Sequence, residues 1–72
     1  MTRTELDNLI RAHWDLYLHA MREGARDYEE GAYREHCPHW DICDRGAVQE
    51  AGWHDGWTAA RNSARKARGG AS

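Results

Sequence analysis

Two segments decide the fold of this 72-residue chain: Gly24–Gly31, with the sequence GARDYEEG, and Trp53–Trp57, with the sequence WHDGW. Glycine inside a helix costs about 1 kcal/mol relative to alanine, so its placement there needs a reason. Two glycines that lie two turns apart leave notches on one helix face, and two tryptophans one turn apart on another helix can fill them. We therefore expect close helix packing, with Trp53 and Trp57 against the Gly24–Gly31 face.

Apolar and small residues recur at three- and four-residue steps through the first half of the chain, which predicts a helix from about residue 4 to about 33. Thr2 and Glu5 have the spacing of a capping box, in which a hydroxyl precedes a carboxylate by three residues. No proline interrupts this stretch. The chain should therefore begin with one long helix.

Pro38 disfavours helical geometry at the preceding residue, so we expect a structured connector over 34–46. A second helix is predicted over about 47–68, and the glycine pair that follows is a stop signal for a flexible tail, 69–72. No strand-like alternation is present. The sequence predicts an all-α fold, a single domain over 1–68 arranged as an antiparallel two-helix hairpin.

The composition places this chain among small folded domains and argues against several functional classes. No apolar run is long enough to cross a membrane, and the N-terminus has no apolar signal-peptide region, so we expect a cytoplasmic protein without membrane contact. No nucleophile elbow, phosphate loop or metalloprotease motif is present. We expect no enzymatic activity and no cofactor.

The charges are divided unevenly along the chain. The first 60 residues carry twelve acidic and six basic side chains, whereas the last twelve carry four basic and no acidic ones. On composition, the four basic residues of this last segment aid solubility and suit the negative pole of a helix dipole. The alternative is an electrostatic contact with RNA or with an acidic protein surface.

The connector concentrates potential metal ligands: His36, Cys37, His39 and Cys43. Thiolates and imidazoles in this number can bind zinc as a tetrahedron. However, the Cys-x2-Cys pair is missing, and a helical turn between the cysteines would point the ligands apart. We interpret Cys37 as a buried apolar residue and expect no metal.

The spacing Gly-x6-Gly-x5-Cys-Pro followed by Trp-x-x-Gly-Trp resembles that of the ribosome modulation factors and similar short bacterial and phage proteins. The resemblance covers about residues 20 to 62, and His39 stands where the family usually has tyrosine. The positions that carry it are Gly24, Gly31, Cys37, Pro38, Trp53, Gly56 and Trp57.

This resemblance implies a small helical protein that docks on the ribosome and ribosomal RNA and down-regulates translation. Basic residues would contact phosphates, and connector aromatic rings would stack on exposed bases. The candidate RNA-binding residues are Arg34, Arg45, Arg61, Arg65, Lys66, Arg68, Tyr33, His39 and Trp40.

An alternative follows from the acidic first helix, because the well-known members of that family are basic. The chain could instead be a phage-type regulatory module that inhibits a host protein by presenting a helical face. Trp14 and Leu18 lie one turn apart beside the main apolar stripe and would form the protein interface. The same pair could support a homodimer.

Overall fold

The computed structural model describes residues 2–40 and 42–69, with the backbone alone for 68 and 69. This part of the chain is all-helical and has no strand, as predicted. It contains α1 (Arg3–Ala12), α2 (Trp14–Glu29), a short 3₁₀ turn (Arg34–His36) and α3 (Asp44–Gly69). The predicted flexible tail lies, apart from Gly69, outside the described residues.

The predicted first helix is divided in two at His13, whose φ of −123° and ψ of 45° depart from helical values. The start of α1 agrees with the predicted cap, because the Thr2 hydroxyl accepts a hydrogen bond from the Glu5 backbone N–H at 3.2 Å. No residue of α1 is buried. The break therefore turns a loosely packed first segment away from the axis of α2.

Gly31 ends α2 instead of lining a helix interface, which corrects the role predicted for it. Its φ is +92°, and nothing lies within 4 Å of the position that a Cβ would take. The N–H of Gly31 donates to the Tyr28 carbonyl at 3.0 Å, and the N–H of Ala32 donates to the Asp27 carbonyl at 2.9 Å. This pair of bonds is a Schellman cap, so the helix ends at Glu29 rather than near residue 33.

The antiparallel hairpin is not confirmed, because the contacts between α2 and α3 advance along both helices together. The Tyr17 carbonyl faces Gly52, and the Met21 carbonyl faces Gly56. Arg45, at the start of α3, borders the same pocket as residues 11–16. The two helices therefore run in the same general direction, and the connector between them returns along their length.

The backbones of α2 and α3 meet directly at three glycines, Gly24, Gly52 and Gly56. A Cβ on Gly24 would lie 2.8 Å from the carbonyl carbon of Trp53, and one on Gly56 would lie 2.6 Å from that of Met21. Real Cβ atoms do not approach backbone so closely, and backbone cannot rotate aside as a side chain can. The close helix contact predicted from Gly24 is confirmed, with Gly56 on the opposite helix making a matching contact.

The core lies between these helices and is built around the indole ring of Trp53, which is fully buried. Val48 is fully buried as well, Ala20 is 1% exposed and Trp57 is 8% exposed. Burying one large side chain of this kind contributes about 2 to 3 kcal/mol from apolar area. Two indole rings and a few small residues thus provide most of the core.

α3 begins at Asp44, three residues before the predicted start, because Cys43 caps it. The Cys43 thiol accepts a hydrogen bond from the Gly46 N–H at 3.4 Å, and the Ala47 N–H donates to the Cys43 carbonyl at 2.9 Å. A side-chain acceptor three residues before an amide is the geometry of an N-cap. Here a thiol has the role that serine or aspartate usually has.

Candidate nucleic-acid interface

Trp57 fixes the start of the connector against α3. Its Nε1–H donates to the Ala32 carbonyl at 2.9 Å, and the Tyr28 ring meets its ring edge to face, with centroids 5.3 Å apart. The Arg61 guanidinium lies 5.3 Å from the centre of the same indole ring, within cation–π range. The residues that follow Ala32 are therefore held beside the last turns of α3, which carry Arg61 and the basic residues after it.

Tyr33 and Arg34 are the next two residues, and both are exposed. The Tyr33 backbone N–H donates to His36 Nδ1 at 3.3 Å, and the two rings meet at a centroid distance of 5.4 Å. The Tyr33 side chain remains 67% exposed. An aromatic face on a backbone held in this way can stack on an unpaired base.

Arg65 follows Arg61 after one helical turn, Lys66 is the next residue, and both are exposed. Neither forms an ion pair among the described side chains. Arg68 belongs to the last turn of α3, but its side chain lies outside what the structure describes. Tyr33, Arg34, Arg61, Arg65 and Lys66 together form what we call the basic end.

The other three predicted RNA-binding residues do not join the basic end. Because α3 rises 1.5 Å per residue, Arg45 lies about 24 Å from Arg61 along the helix. The Trp40 backbone packs against Gly46, at the start of the same helix. His39 Nε2 lies 2.5 Å from Glu23 Oε1 and is engaged within the fold. The residues predicted from sequence as one set thus occupy two separate regions.

On the side of α2, the positively charged surface of the basic end is bordered by acidic side chains. Glu29 and Glu30 close that helix, Glu35 lies in the 3₁₀ turn, and all three are exposed or partly exposed. A phosphate backbone would be repelled by these carboxylates and attracted by the last turns of α3. The electrostatics therefore favour a short contact over a long basic groove.

The two residues of the predicted protein interface, Trp14 and Leu18, differ in exposure. Trp14 is 50% exposed, and its ring stacks on that of Tyr17 at a centroid distance of 5.3 Å with an interplanar angle of 29°. Leu18 is only partly exposed. Trp40 is 69% exposed and Ile42 is 84% exposed, so other large apolar side chains are open as well.

Both cysteines have local structural roles. Cys37 is half-buried against the core cluster, and its thiol lies 3.5 Å from the His39 carbonyl. Burial raises the pKa of the Cys37 thiol, which keeps it protonated. Among the described residues, no group of three or more His, Cys, Asp or Glu side chains is arranged to hold a metal ion.

Three side-chain contacts that organise the molecule join residues 16 to 38 positions apart, and no local sequence signal indicates them. Trp53 Nε1–H donates to Asp27 Oδ2 at 2.8 Å, and His39 pairs with Glu23 as described above. The Tyr17 hydroxyl donates to the Asp55 carboxylate. Burial and this bonded carboxylate raise the pKa of Tyr17 to about 12.

Neither a membrane-spanning helix in the described part of the chain nor a known relative points to a function. Within the described residues, no helix combines the length and the apolar character required to cross a bilayer. No family model, no curated protein and no solved structure matches the chain.

Proposed function

We propose that the chain is a ribosome modulation factor-like protein of the cytoplasm, which binds ribosomal RNA through its basic end and lowers translation. The observation that supports this most is the position of Trp57. Through its bond to Ala32 and its contact with Arg61, one indole ring joins the connector to the last turns of α3. Trp57 is also one of the positions on which the family resemblance depends.

The chemistry of the basic end suits a looped or single-stranded RNA. Arg65 and Lys66 offer exposed cations for phosphates, Arg34 adds a planar guanidinium, and Tyr33 offers an open aromatic face. The acidic end of α2 would repel an approaching duplex on one side. We therefore expect a local contact with one RNA loop or single-stranded segment, oriented by repulsion from the acidic end of α2.

Sedimentation with ribosomes through a sucrose gradient tests this proposal. We expect the protein to travel with ribosomal particles at low salt and to leave them as salt rises, because phosphate contacts release counterions. Binding should survive washing with unrelated protein but should disappear after ribonuclease treatment of the particles. Protein that stays at the top of the gradient at low salt would contradict the proposal.

A charge-matched pair of variants makes the test specific to the basic end. Arg65→Gln with Lys66→Gln should flatten the log–log salt dependence by about 0.7 to 0.9 for each phosphate interaction that the substitutions remove. Arg3→Gln with Arg11→Gln changes the net charge equally on α1 and should leave the slope unchanged. Equal effects of the two pairs would show that net charge alone drives binding.

The second candidate is a regulatory module that inhibits a host protein, and the exposure of Trp14, Trp40 and Ile42 favours it. Large apolar side chains left open on a small protein are typical of interaction surfaces, including those of homodimers. This alternative predicts a stoichiometric protein partner that is retained after ribonuclease treatment. Trp14→Ala should abolish that partner's binding, whereas the Arg65/Lys66 variant should not.

A further inference from the structure

The break at His13 creates a pocket that the proposed RNA contact does not use. Because α1 turns at this residue, its inner side faces α3 and leaves a cavity of about 310 Å³ between them. That volume is at the low end of ligand sites in proteins, so it fits a side chain or a small molecule better than a nucleotide. Its lining comes from all three helices: Arg3, Leu6, Asp7, Ile10, Trp14, Tyr17, Ala51 and Asp55.

One wall of this pocket is aromatic. The rings of Trp14 and Tyr17 stack at 5.3 Å, which holds the Trp14 indole in one orientation although half of it is exposed. The face of an indole ring is the strongest aromatic attractor of organic cations. A tryptophan that is ordered by a stacked neighbour and still open to solvent suits binding better than it suits core packing.

The charges of the pocket also favour a cation. Arg3 is balanced by Asp7, whose carboxylate lies 3.6 Å from the Arg3 Nε. Asp55 then remains as the uncompensated charge, since its only bonded neighbour among the described residues is the neutral hydroxyl of Tyr17. That hydroxyl fixes one carboxylate oxygen in place and leaves the other available.

The remaining lining is apolar and suits a methylene stem. Leu6 and Ile10 on α1 and Ala51 on α3 are partly exposed beside the carboxylate and the rings. Lysine and arginine side chains carry an apolar stem and a charged head, and they bind where both can be satisfied. The pocket thus places apolar side chains beside an aromatic face and a fixed carboxylate.

We propose that this pocket binds an amphipathic organic cation, an alkylammonium or guanidinium group of the kind carried by lysine and arginine side chains or by polyamines. Asp55 would hold the charge, the Trp14 face would cover it, and Leu6 and Ile10 would line its stem. The site is separate from the basic end, so its test does not depend on RNA binding.

The indole N–H signal of Trp14 in a two-dimensional ¹H–¹⁵N spectrum gives a local readout. Titration with N-acetyl-lysine methylamide should shift this signal saturably, with a Kd of about 1 mM for a single exposed cation. N-acetyl-norleucine methylamide has the stem without the charge, so it should shift this signal only at roughly tenfold higher concentration or above. The exposed Trp40 indole lies outside the pocket and should not respond to either probe.

Two variants assign the response to the pocket. Asp55→Asn can still accept the Tyr17 hydrogen bond, so the fold should be kept while affinity falls about threefold to fivefold. Glu35→Gln removes the same charge from the exposed 3₁₀ turn and should have no effect. Trp14→Phe should weaken binding as well, measured through the backbone amide signals of Ala51 and Ile10 because the Trp14 indole is absent. In each variant, an unchanged Trp53 indole N–H signal would verify that the fold is kept.

The source of the cation follows from comparing spermidine with an acetylated, amidated Lys-Gly-Lys-Gly-Lys peptide of equal charge. Tighter peptide binding would assign the pocket to a basic protein segment, and tighter spermidine binding would assign it to a polyamine. An unmoved Trp14 signal, an equal response to norleucine, or unchanged affinity in Asp55→Asn would each overturn the proposal.

Discussion

Two of the four tryptophans, Trp53 and Trp14, lie in contrasting regions of the molecule. Trp53 lies at the meeting point of α2 and α3, fully buried, with its N–H bonded to Asp27. Trp14 lies beside the helix break and is half exposed, in a segment where α1 buries nothing. The same residue type is thus buried in the core in one region and open to solvent in the other.

The largest expected effect distinguishes these regions by one matched substitution. Trp53→Ala should lower the free energy of unfolding by about 3 to 5 kcal/mol, because it opens a cavity in the core. A domain of this size has about 4 to 11 kcal/mol in all, so the variant should be close to unfolded. Trp14→Ala, at a side chain 50% exposed that stacks only on Tyr17, should change it by about 1 kcal/mol. Urea denaturation followed by circular dichroism measures both, and similar decreases in the two variants would contradict the division into regions.

A pair of glycine substitutions sharpens the account of the helix contact. Helix propensity alone predicts that Gly24→Ala stabilises by about 1 kcal/mol, but the Trp53 backbone occupies the space for its Cβ, so we expect a destabilisation of about 1 to 3 kcal/mol instead. Gly31→Ala has open space but a positive φ, and should cost about 1 to 2 kcal/mol. Thermal unfolding of both variants measures these losses of stability. A Gly24→Ala variant more stable than the unaltered chain would refute the backbone contact.

The bond between Tyr17 and Asp55 gives a smaller effect that depends on pH. The pKa of Tyr17 is raised from 10.0 to about 12, so its contribution to stability is present below pH 10 and is lost as pH rises toward 12. Absorbance at 295 nm should show one of the three tyrosines ionising last. In Asp55→Ala the pKa of this last-ionising tyrosine should fall toward 10.0, the ordinary tyrosine value. A titration unchanged from that of the unaltered chain would show that the bond does not form in solution.

How far the sequence predicts the fold depends on whether a feature is local. The cap at Thr2 and the absence of strands follow from neighbouring residues, and a glycine inside a helix at Gly24 indicates a close approach without naming its partner. The structure of the described residues confirms all three. The end of α2 is open to the same reasoning, because glycine is the usual residue just after a helix C-terminus, but the two-turn spacing from Gly24 indicates packing for Gly31 instead. The break at His13 has no proline or glycine to indicate it.

The direction of α3 and the division of the basic residues cannot be predicted from spacing. Both depend on the path of the connector, which is fixed by His39 against Glu23 and by Trp57 against Ala32. These contacts join residues far apart in sequence, and only tertiary packing determines them. For this reason the sequence groups Arg45 and Trp40 with residues that lie at the opposite end of α3.

The proposed function rests on Trp57 holding Tyr33 and Arg34 beside Arg61, and one substitution tests that link without altering any charge. Trp57→Phe keeps an aromatic ring but removes the N–H that bonds to the Ala32 carbonyl, a bond of about 1 kcal/mol. Ribosome sedimentation at fixed low salt should then show binding about fivefold weaker, with helical content unchanged by circular dichroism. Ribosome binding equal to that of the unaltered chain, or no ribosome binding by either, would contradict the account.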